Sequence, residues 1–244
     1  MSRVSKEYYD FKKREIIDAT LEVCKKKTVS GVTMQDVINA AGLSQGAIYR
    51  YYKNIDEVLI DLLSRIRVEQ YESVDKINEI LNKEKEELFA LRTVPIDKES
   101  IKKRREKLAE LAKKIYEMMG EEVEHFLYPH RKIQMEFTIL ADNFPERARV
   151  IFPGAEPERG IDVGIWDMLK GEIEAGIISP RISIEEFMEY NALVYEGIMR
   201  RAIMVNCYRR NAFFDDSNGY DIRKSYETFA KSAAYFLGLE EYFV

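Results

Sequence analysis

The chain has 244 residues, of which 46% are hydrophobic and 33% charged, and it contains only 12 Gly, 6 Pro and 2 Cys. These proportions exclude collagen-like and Pro/Gly-rich disordered chains, and two cysteines outside any CxxC pair exclude a disulfide framework and a zinc cluster. The net charge of −5 hides an asymmetry, because residues 1–53 carry a net +4 and the remaining residues −9. This distribution is expected when a basic N-terminal domain binds a polyanion and the rest of the protein is acidic.

The first predicted elements are short amphipathic helices. Apolar residues recur near the helical period from Tyr8 to Lys26, which predicts a first helix there. A second helix is predicted over residues 34–40, because Thr33 is a suitable N-cap and Asp36 stands three residues later.

A tight corner follows the second helix. Gly42 can adopt a left-handed conformation, and Ser44 can cap a third helix that we expect to run to about Tyr52. Asn54 or Asp56 can cap a fourth helix, whose apolar stripe continues toward residue 80 or beyond.

The later part of the chain is predicted to be helical as well. We expect an irregular connection over 145–157, since three of the six prolines fall there, and this stretch is the best candidate for a mobile lid. The predicted helices are 98–119 with Gly120 as a stop, 121–142 around Pro129, 160–175 ended by Gly176, 183–206 capped by Ser183, and 221–238. No apolar run reaches the roughly 18 residues that cross a bilayer and the N-terminus has no apolar signal core, which predicts a cytoplasmic protein without a membrane partner.

The second and third helices have the spacing of a helix-turn-helix, in which the second member enters the major groove of DNA. Arg50 could read guanine and Gln45 adenine, while Gly46 and Ala47 would let the backbone approach the duplex. The side chains that offer phosphate hydrogen bonds or charge are Thr33, Ser44, Tyr49, Tyr51 and Lys53.

Residues 10–63 resemble the N-terminal domain of the tetracycline-repressor (TetR) family of transcriptional regulators. The segments that carry the resemblance are 16–19, 31–34, 41–44, 46–52 and 57–59. Two positions depart from the family pattern: Ile55 stands where a Lys usually helps to hold the DNA backbone, and Tyr52 stands where Phe is commoner. Lys53 could compensate for the missing Lys.

The resemblance implies an all-α fold with a helix-turn-helix DNA-binding domain, residues 1–53, followed by a helical ligand-binding and dimerisation domain, residues 54–244. It also implies a homodimer formed through the last two helices, and such a dimer would read a roughly palindromic double-stranded operator. Small residues that would permit close helix approach there are Ala192, Gly197, Ala202, Ala230, Ala233, Ala234 and Gly238. The alternative is ordinary packing within one chain.

The resemblance also implies a pocket for a small, largely apolar or aromatic effector. Binding of this effector would release the protein from its operator. The candidate ligand-binding residues are Phe126, Met135, Glu136, Phe137, Trp166, Tyr195 and Met199. For each the alternative is plain core, and for Glu136 it is a surface position or an internal pair with Arg131, Lys132 or Arg200.

The leading interpretation is therefore a ligand-responsive DNA-binding regulator, in this family most often a repressor. An enzyme is not favoured, because no nucleophile with a His base, phosphate loop or HExxH motif is present. A metal is rejected because His125 and His130 are five residues apart, about 140° around a helix, and no cofactor is expected. The Lys102–Arg105 run is typical of a solvated face. The remaining alternative is an adaptor that uses the helix-turn-helix to bind protein partners, without operator binding.

Overall fold

The computed structural model describes residues 5–151, 164–208 and 219–243, and within these ranges every regular element is helical. The all-α prediction is confirmed. The α-helices are α1 (Lys6–Lys26), α2 (Met34–Ala41), α3 (Gln45–Ile48), α4 (Ile55–Leu91), α5 (Lys98–Phe126), α6 (Lys132–Asn143), α7 (Pro145–Ile151), α8 (Ile165–Glu174), α9 (Ile184–Ala202) and α10 (Ile222–Leu237). Short helical turns lie at Val29–Gly31, Leu127–Arg131, Ile203–Cys207 and Glu240–Tyr242.

The described residues form two compact units. The first contains 5–70 and 128–151, and the second contains 71–127, 164–208 and 219–243. The first unit therefore includes the described part of the predicted domain 1–53, together with the beginning of α4 and with α6 and α7.

The capping residues read from the sequence are confirmed. The hydroxyl of Thr33 accepts a hydrogen bond from the Asp36 amide at 3.2 Å, and the Asp36 carboxylate accepts one from the Thr33 amide at 3.0 Å. Gly42 ends α2 with φ +63°, a left-handed conformation that costs Gly little. Ser44 then accepts a hydrogen bond from the Ala47 amide at 3.3 Å and begins α3. These caps fix the corner of the helix-turn-helix.

The third helix is shorter than predicted. Regular α3 ends at Ile48 rather than near Tyr52, and the chain continues in turns: the Arg50 and Tyr51 amides bond the carbonyls three residues earlier, at 3.3 and 2.9 Å. Aromatic side chains lose rotamer freedom in a helix, and Tyr52 is drawn into the core, where it is 2% exposed. The buried Tyr52 therefore lies after the end of regular α3, although its amide still bonds the Ile48 carbonyl at 3.1 Å.

Two predicted features lie near prolines. Pro129 falls in the turn between α5 and α6, so the stretch 121–142 is two helices rather than one, as expected for a residue without an amide proton. The predicted irregular connection begins with the short helix α7, and its residues 152–157 lie outside the described ranges.

Gly120 was predicted to stop a helix, and this is wrong. The glycine lies inside α5, where a Cβ atom would stand 3.2 Å from the side chain of Tyr226 on α10. Its role is to let two helices of the second unit approach closely. Ala233 and Ala234 are fully buried on α10, the helix that packs against α5, so these small residues pack within the chain.

The Lys102–Arg105 run is not wholly a solvated face. Arg104 is buried, and its Nη2 lies 2.6 Å from Oε2 of Glu172, whose other oxygen is 2.7 Å from Nε of Arg92. A fully buried carboxylate needs such partners, which explains why one member of the run turns inward.

Among the helices of the described ranges, none combines the length and the hydropathy that a membrane span requires.

Replacing Gly120 by Leu should lower the free energy of unfolding by about 1–3 kcal/mol, because the new side chain would have to occupy the space of Tyr226. Urea denaturation followed by circular dichroism measures the change. Lys102→Leu, at an exposed position of the same helix, is the control and should change stability by no more than about 0.5 kcal/mol. Equal stability of the two variants would contradict this account of Gly120.

Candidate nucleic-acid interface

The helix-turn-helix stands on a continuous apolar core within the first unit. Ile16 of α1, Val37 of α2, Ile48 of α3 and Leu59 of α4 are all fully buried in one cluster. Since each short helix contributes a buried side chain, α2 and α3 are held by α1 and α4 rather than by their own helix propensity.

The N-terminal end of α3 is open to solvent. Gln45 and Gly46 are exposed, and a Cβ atom at Gly46 would meet no atom within 4 Å. Arg50 is exposed as well, and Tyr49 is 45% exposed. A duplex could therefore approach this surface, with Ala47, which is half-buried, just beneath it.

The hydroxyls of Thr33 and Ser44 differ in what they can still do. Thr33 donates its proton to the carboxylate of Asp36 at 2.8 Å, whereas Ser44 accepts a bond from Ala47 and keeps its proton for another acceptor. The hydrogen bond from Lys27, 2.7 Å away, and then those from Thr33 lower the pKa of Asp36. Of these two hydroxyls, that of Ser44 can therefore still donate to a phosphate, whereas that of Thr33 already donates to Asp36.

Two hydrogen bonds hold the junction between the turn after α3 and the start of α4. The amide of Lys53 donates to Oε2 of Glu57 at 2.7 Å, and the amide of Glu57 donates to Oδ1 of Asn54 at 3.0 Å. The Lys53 side chain is left exposed, while Ile55 is partly buried against the core. The cation available here is therefore that of Lys53.

The two tyrosines that end the turn face inward to different degrees. The ring of Tyr51 is half-buried and lies 4.9 Å, centroid to centroid, from that of Tyr9 on α1. Tyr52 is buried, and its hydroxyl donates to Oδ2 of Asp61 at 2.9 Å. Burial, followed by the hydrogen bond to Asp61, raises the pKa of Tyr52.

A buried link to α6 completes the first unit. The sequence offered the pair of Glu136 with Lys132 as one alternative but did not reveal the backbone groups that this pair binds. Nζ of Lys132 lies 2.8 Å from Oε1 of Glu136 and donates to the carbonyl of Cys24 at 3.0 Å. The other carboxylate oxygen of Glu136 accepts the Val29 amide at 2.8 Å. Burial raises the pKa of the Cys24 thiol to about 12, so that thiol is neutral and unreactive at physiological pH.

The signal that favours Lys132 over the other possible partners of Glu136 is the i,i+4 spacing of a Lys and a Glu within an apolar helix. A charged pair one turn apart, in a stretch that is otherwise buried, satisfies two groups at once. The backbone groups that the pair binds could not be predicted from the sequence, because Cys24 and Val29 are more than 100 residues away.

The residues predicted to bind a ligand are divided between the two units. Met135, Glu136 and Phe137 lie on α6 in the first unit, where Phe137 is part of the core beneath the helix-turn-helix. Glu136 forms an internal ion pair with Lys132, which was the alternative to a ligand-binding role. Its ligand-binding role stays a prediction. The members in the second unit are Phe126, which is buried, and Trp166, Tyr195 and Met199, which are half-buried.

The two histidines also lie in different units. Nε2 of His130 is 3.1 Å from the carboxylate of Glu69, and His125 is exposed on α5. Within the described ranges, no three His, Cys, Asp or Glu side chains are grouped so that they could hold a metal ion.

Known proteins match this chain in the segment that contains the helix-turn-helix. Residues 16–62 match the family model of bacterial regulatory proteins, tetR family. The uncharacterized HTH-type transcriptional regulator YfiR of Bacillus subtilis (strain 168) is 31% identical over 74 residues, which are 30% of this chain. The chain spans 36% of the length of that relative.

Solved structures resemble the chain over most of its length at low identity. The fatty acid degradation regulator FadR from Bacillus halodurans is 15% identical, with a TM-score of 0.47 and coverage of 95% of this chain and 96% of that one. A TetR transcription regulator from Haloarcula marismortui is 14% identical, with a TM-score of 0.47 and coverage of 94% and 97%.

Replacing Lys132 by Met should lower the free energy of unfolding by about 3–5 kcal/mol, because the Glu136 carboxylate would stay buried without this ammonium. Chemical denaturation measures the loss. The double change Lys132→Met with Glu136→Gln, which removes both charges but keeps an acceptor for the Val29 amide, should recover part of it. A double variant no more stable than Lys132→Met alone would show that the charge pairing is not what matters.

Proposed function

Since residues 16–62 place the chain in the tetR family of bacterial regulatory proteins, we propose that it is a transcriptional regulator that reads duplex DNA with α3 and the turn after it. The observation that carries this proposal is the exposed surface from Ser44 to Arg50, set on a fully buried core. A one-turn helix with no side chain in front of Gly46 fits the width of a major groove.

Direct reading of bases is proposed for two side chains. Arg50 would contact guanine with two hydrogen bonds, and Gln45 would contact adenine in the same way. Gly46 and Ala47 keep the surface between them flat, so that both long side chains can reach the base edges.

Phosphate contacts are proposed on either side of the bases. Ser44 retains a free hydroxyl proton, Lys53 supplies an exposed cation, and the rings of Tyr49 and Tyr51 carry hydroxyls near the same surface. Thr33 would have to release Asp36 before it could donate to a phosphate. Lys53 would take the part of the Lys that Ile55 replaces.

A homodimer through α9 and α10 would supply the second reading head. Leu193 on α9 is 63% exposed and Tyr235 on α10 is 51% exposed, and a Cβ atom at Gly197 would meet no atom within 4 Å. An exposed apolar surface with room for close approach suits a partner helix. Two heads about 34 Å or somewhat more apart would require a roughly palindromic operator.

The effector is proposed to be small and largely apolar or aromatic, and to bind in the second unit. Support comes from the half-buried Trp166, whose ring stands 6.2 Å from that of Phe187, and from Tyr195 and Met199 on α9. To act as an inducer it must bind the non-DNA conformation more tightly, with a coupling of typically about 1–3 kcal/mol. Release of the operator by such a ligand would make the protein a repressor.

The function is tested by selection of duplexes from a random double-stranded pool, followed by a salt titration of the selected duplex. The proposal expects an enriched, roughly palindromic sequence and an affinity that falls steeply between about 50 and 200 mM salt. No enrichment, with no salt-dependent binding of DNA, would favour the protein adaptor instead. Gel filtration at micromolar concentration tests the dimer, which a monomeric elution would contradict.

Arg50→Ala should weaken binding of the selected duplex by about 1–3 kcal/mol and relax base preference at one position, since a bidentate base contact would be lost. Repeating the selection with the variant measures this. If every position of the site kept its preference, Arg50 would not be reading a base.

Lys53→Ala should weaken binding of all duplexes alike and make the slope of log affinity against log salt shallower by about one unit, because one phosphate contact disappears. Salt titrations with the selected and a scrambled duplex measure both effects. Lys83→Ala, at an exposed position of α4 in the second unit, is the control. An unaltered slope for Lys53→Ala would remove the phosphate contact from this side chain.

A further inference from the structure

The turn that carries much of the proposed reading surface has little helical structure of its own. The four residues of α3 complete one turn. After it the Arg50 and Tyr51 amides bond carbonyls three residues earlier, and the Tyr52 amide bonds that of Ile48, four residues earlier, at 3.1 Å. Isolated helical turns of this length are not stable in water. The direction in which Tyr49 and Arg50 point must therefore be set by contacts of the turn with the helices around it.

Three side chains from three elements meet at the end of this turn. Oδ2 of Asp61, on α4, accepts the hydroxyl proton of Tyr52 at 2.9 Å and lies 2.6 Å from Nζ of Lys13, on α1. The same Nζ stands 4.7 Å from the centre of the Tyr52 ring. We call Lys13, Tyr52 and Asp61 the Tyr52 clasp, since they join the reading turn to both α1 and α4.

A second contact ties the neighbouring residue to α1. The Tyr51 ring lies 4.9 Å from that of Tyr9, with the planes tilted by 39°. The two residues that close the turn are thus each held by a side chain of α1, and Tyr52 by α4 as well.

The energy of the clasp suits positioning more than stability. The side chains of Lys13 and Asp61 are 31% and 38% exposed, and ion pairs so open to water contribute little to the free energy of unfolding. The geometry that they impose is nevertheless specific, because the Tyr52 hydroxyl and the Lys13 ammonium must both reach the same carboxylate oxygen of Asp61.

We propose that Lys13, Tyr52 and Asp61 are positioning residues that orient Arg50 and Tyr49, and so determine how well this protein discriminates between DNA sequences. The inference rests on the proposed function and assigns it a further set of residues that do not touch DNA. Two-pronged base contacts need a placement within about 0.5 Å, whereas phosphate contacts tolerate more movement. Loosening the turn should therefore lower specific binding and spare non-specific binding.

The test measures two dissociation constants of the full chain at one salt concentration: for the duplex that the unaltered protein selects from a random pool, and for a scrambled duplex of equal length. Tyr52→Phe removes only the hydroxyl and keeps the buried ring. It should lower the ratio of specific to non-specific affinity by about three- to tenfold. Asp61→Ala should do the same, and the double variant should fall no further than Asp61→Ala alone.

Two matched controls separate positioning from general damage. Tyr116→Phe removes a tyrosine hydroxyl that bonds Asn191 in the second unit, and Asp18→Ala removes a carboxylate that pairs with Arg65 in the first. Both should leave the ratio unchanged. Thermal melts should show that Tyr52→Phe and Tyr116→Phe differ little from the unaltered protein.

The outcomes are distinct. A ratio that Tyr52→Phe leaves unchanged, or a parallel loss of both affinities, overturns the positioning role while the regulator itself stands. If the unaltered protein selects no duplex, the proposed function fails and the positioning role with it. A fall in the ratio confined to Tyr52→Phe and Asp61→Ala supports the inference.

Discussion

The ion pair between Lys132 and Glu136 is the interaction on which the first unit, with its helix-turn-helix, depends. The end of α1 and the turn that follows it leave a carbonyl at Cys24 and an amide at Val29 inside the protein, away from water. Buried backbone groups must find partners, and α6 supplies both through one charged pair. Removing either charge would leave the other buried, so the pair holds α6 and the rear of the helix-turn-helix as one piece.

The front of the same unit is organised by side chains that meet α1. Lys13 and Tyr9 contact the turn after α3, and Asp61 brings α4 to the same point. The surface proposed to read DNA is therefore small, exposed and weakly helical, but Tyr51 and Tyr52, which end it, both contact side chains of neighbouring helices. A surface of this kind can be firm without a long helix, because tertiary contacts replace helix propensity.

Sequence and structure agree wherever the deciding interactions are local. The caps at Thr33 and Ser44 and the left-handed Gly42 follow from residues no more than three positions apart. They differ at Gly120 and at Arg104, where the decisive partner is distant in the chain: Tyr226 for Gly120 and Glu172 for Arg104. They differ also at the end of α3, which the structure places at Ile48.

By itself the sequence determined the helical class and the helix-turn-helix, because periodicity, capping and turn chemistry act between near neighbours. It also named the residues that are proposed to read DNA. Tertiary structure alone decided that Glu136 accepts the Val29 amide, that its partner is Lys132 among the alternatives which the sequence left open, that α6 belongs to the first unit, and that the hydroxyl of Tyr52 donates to Asp61. The reason is that hydrogen bonds and ion pairs between residues far apart in the chain form only where packing brings the groups together. A single sequence gives the identity of these groups but not which of them are close in space.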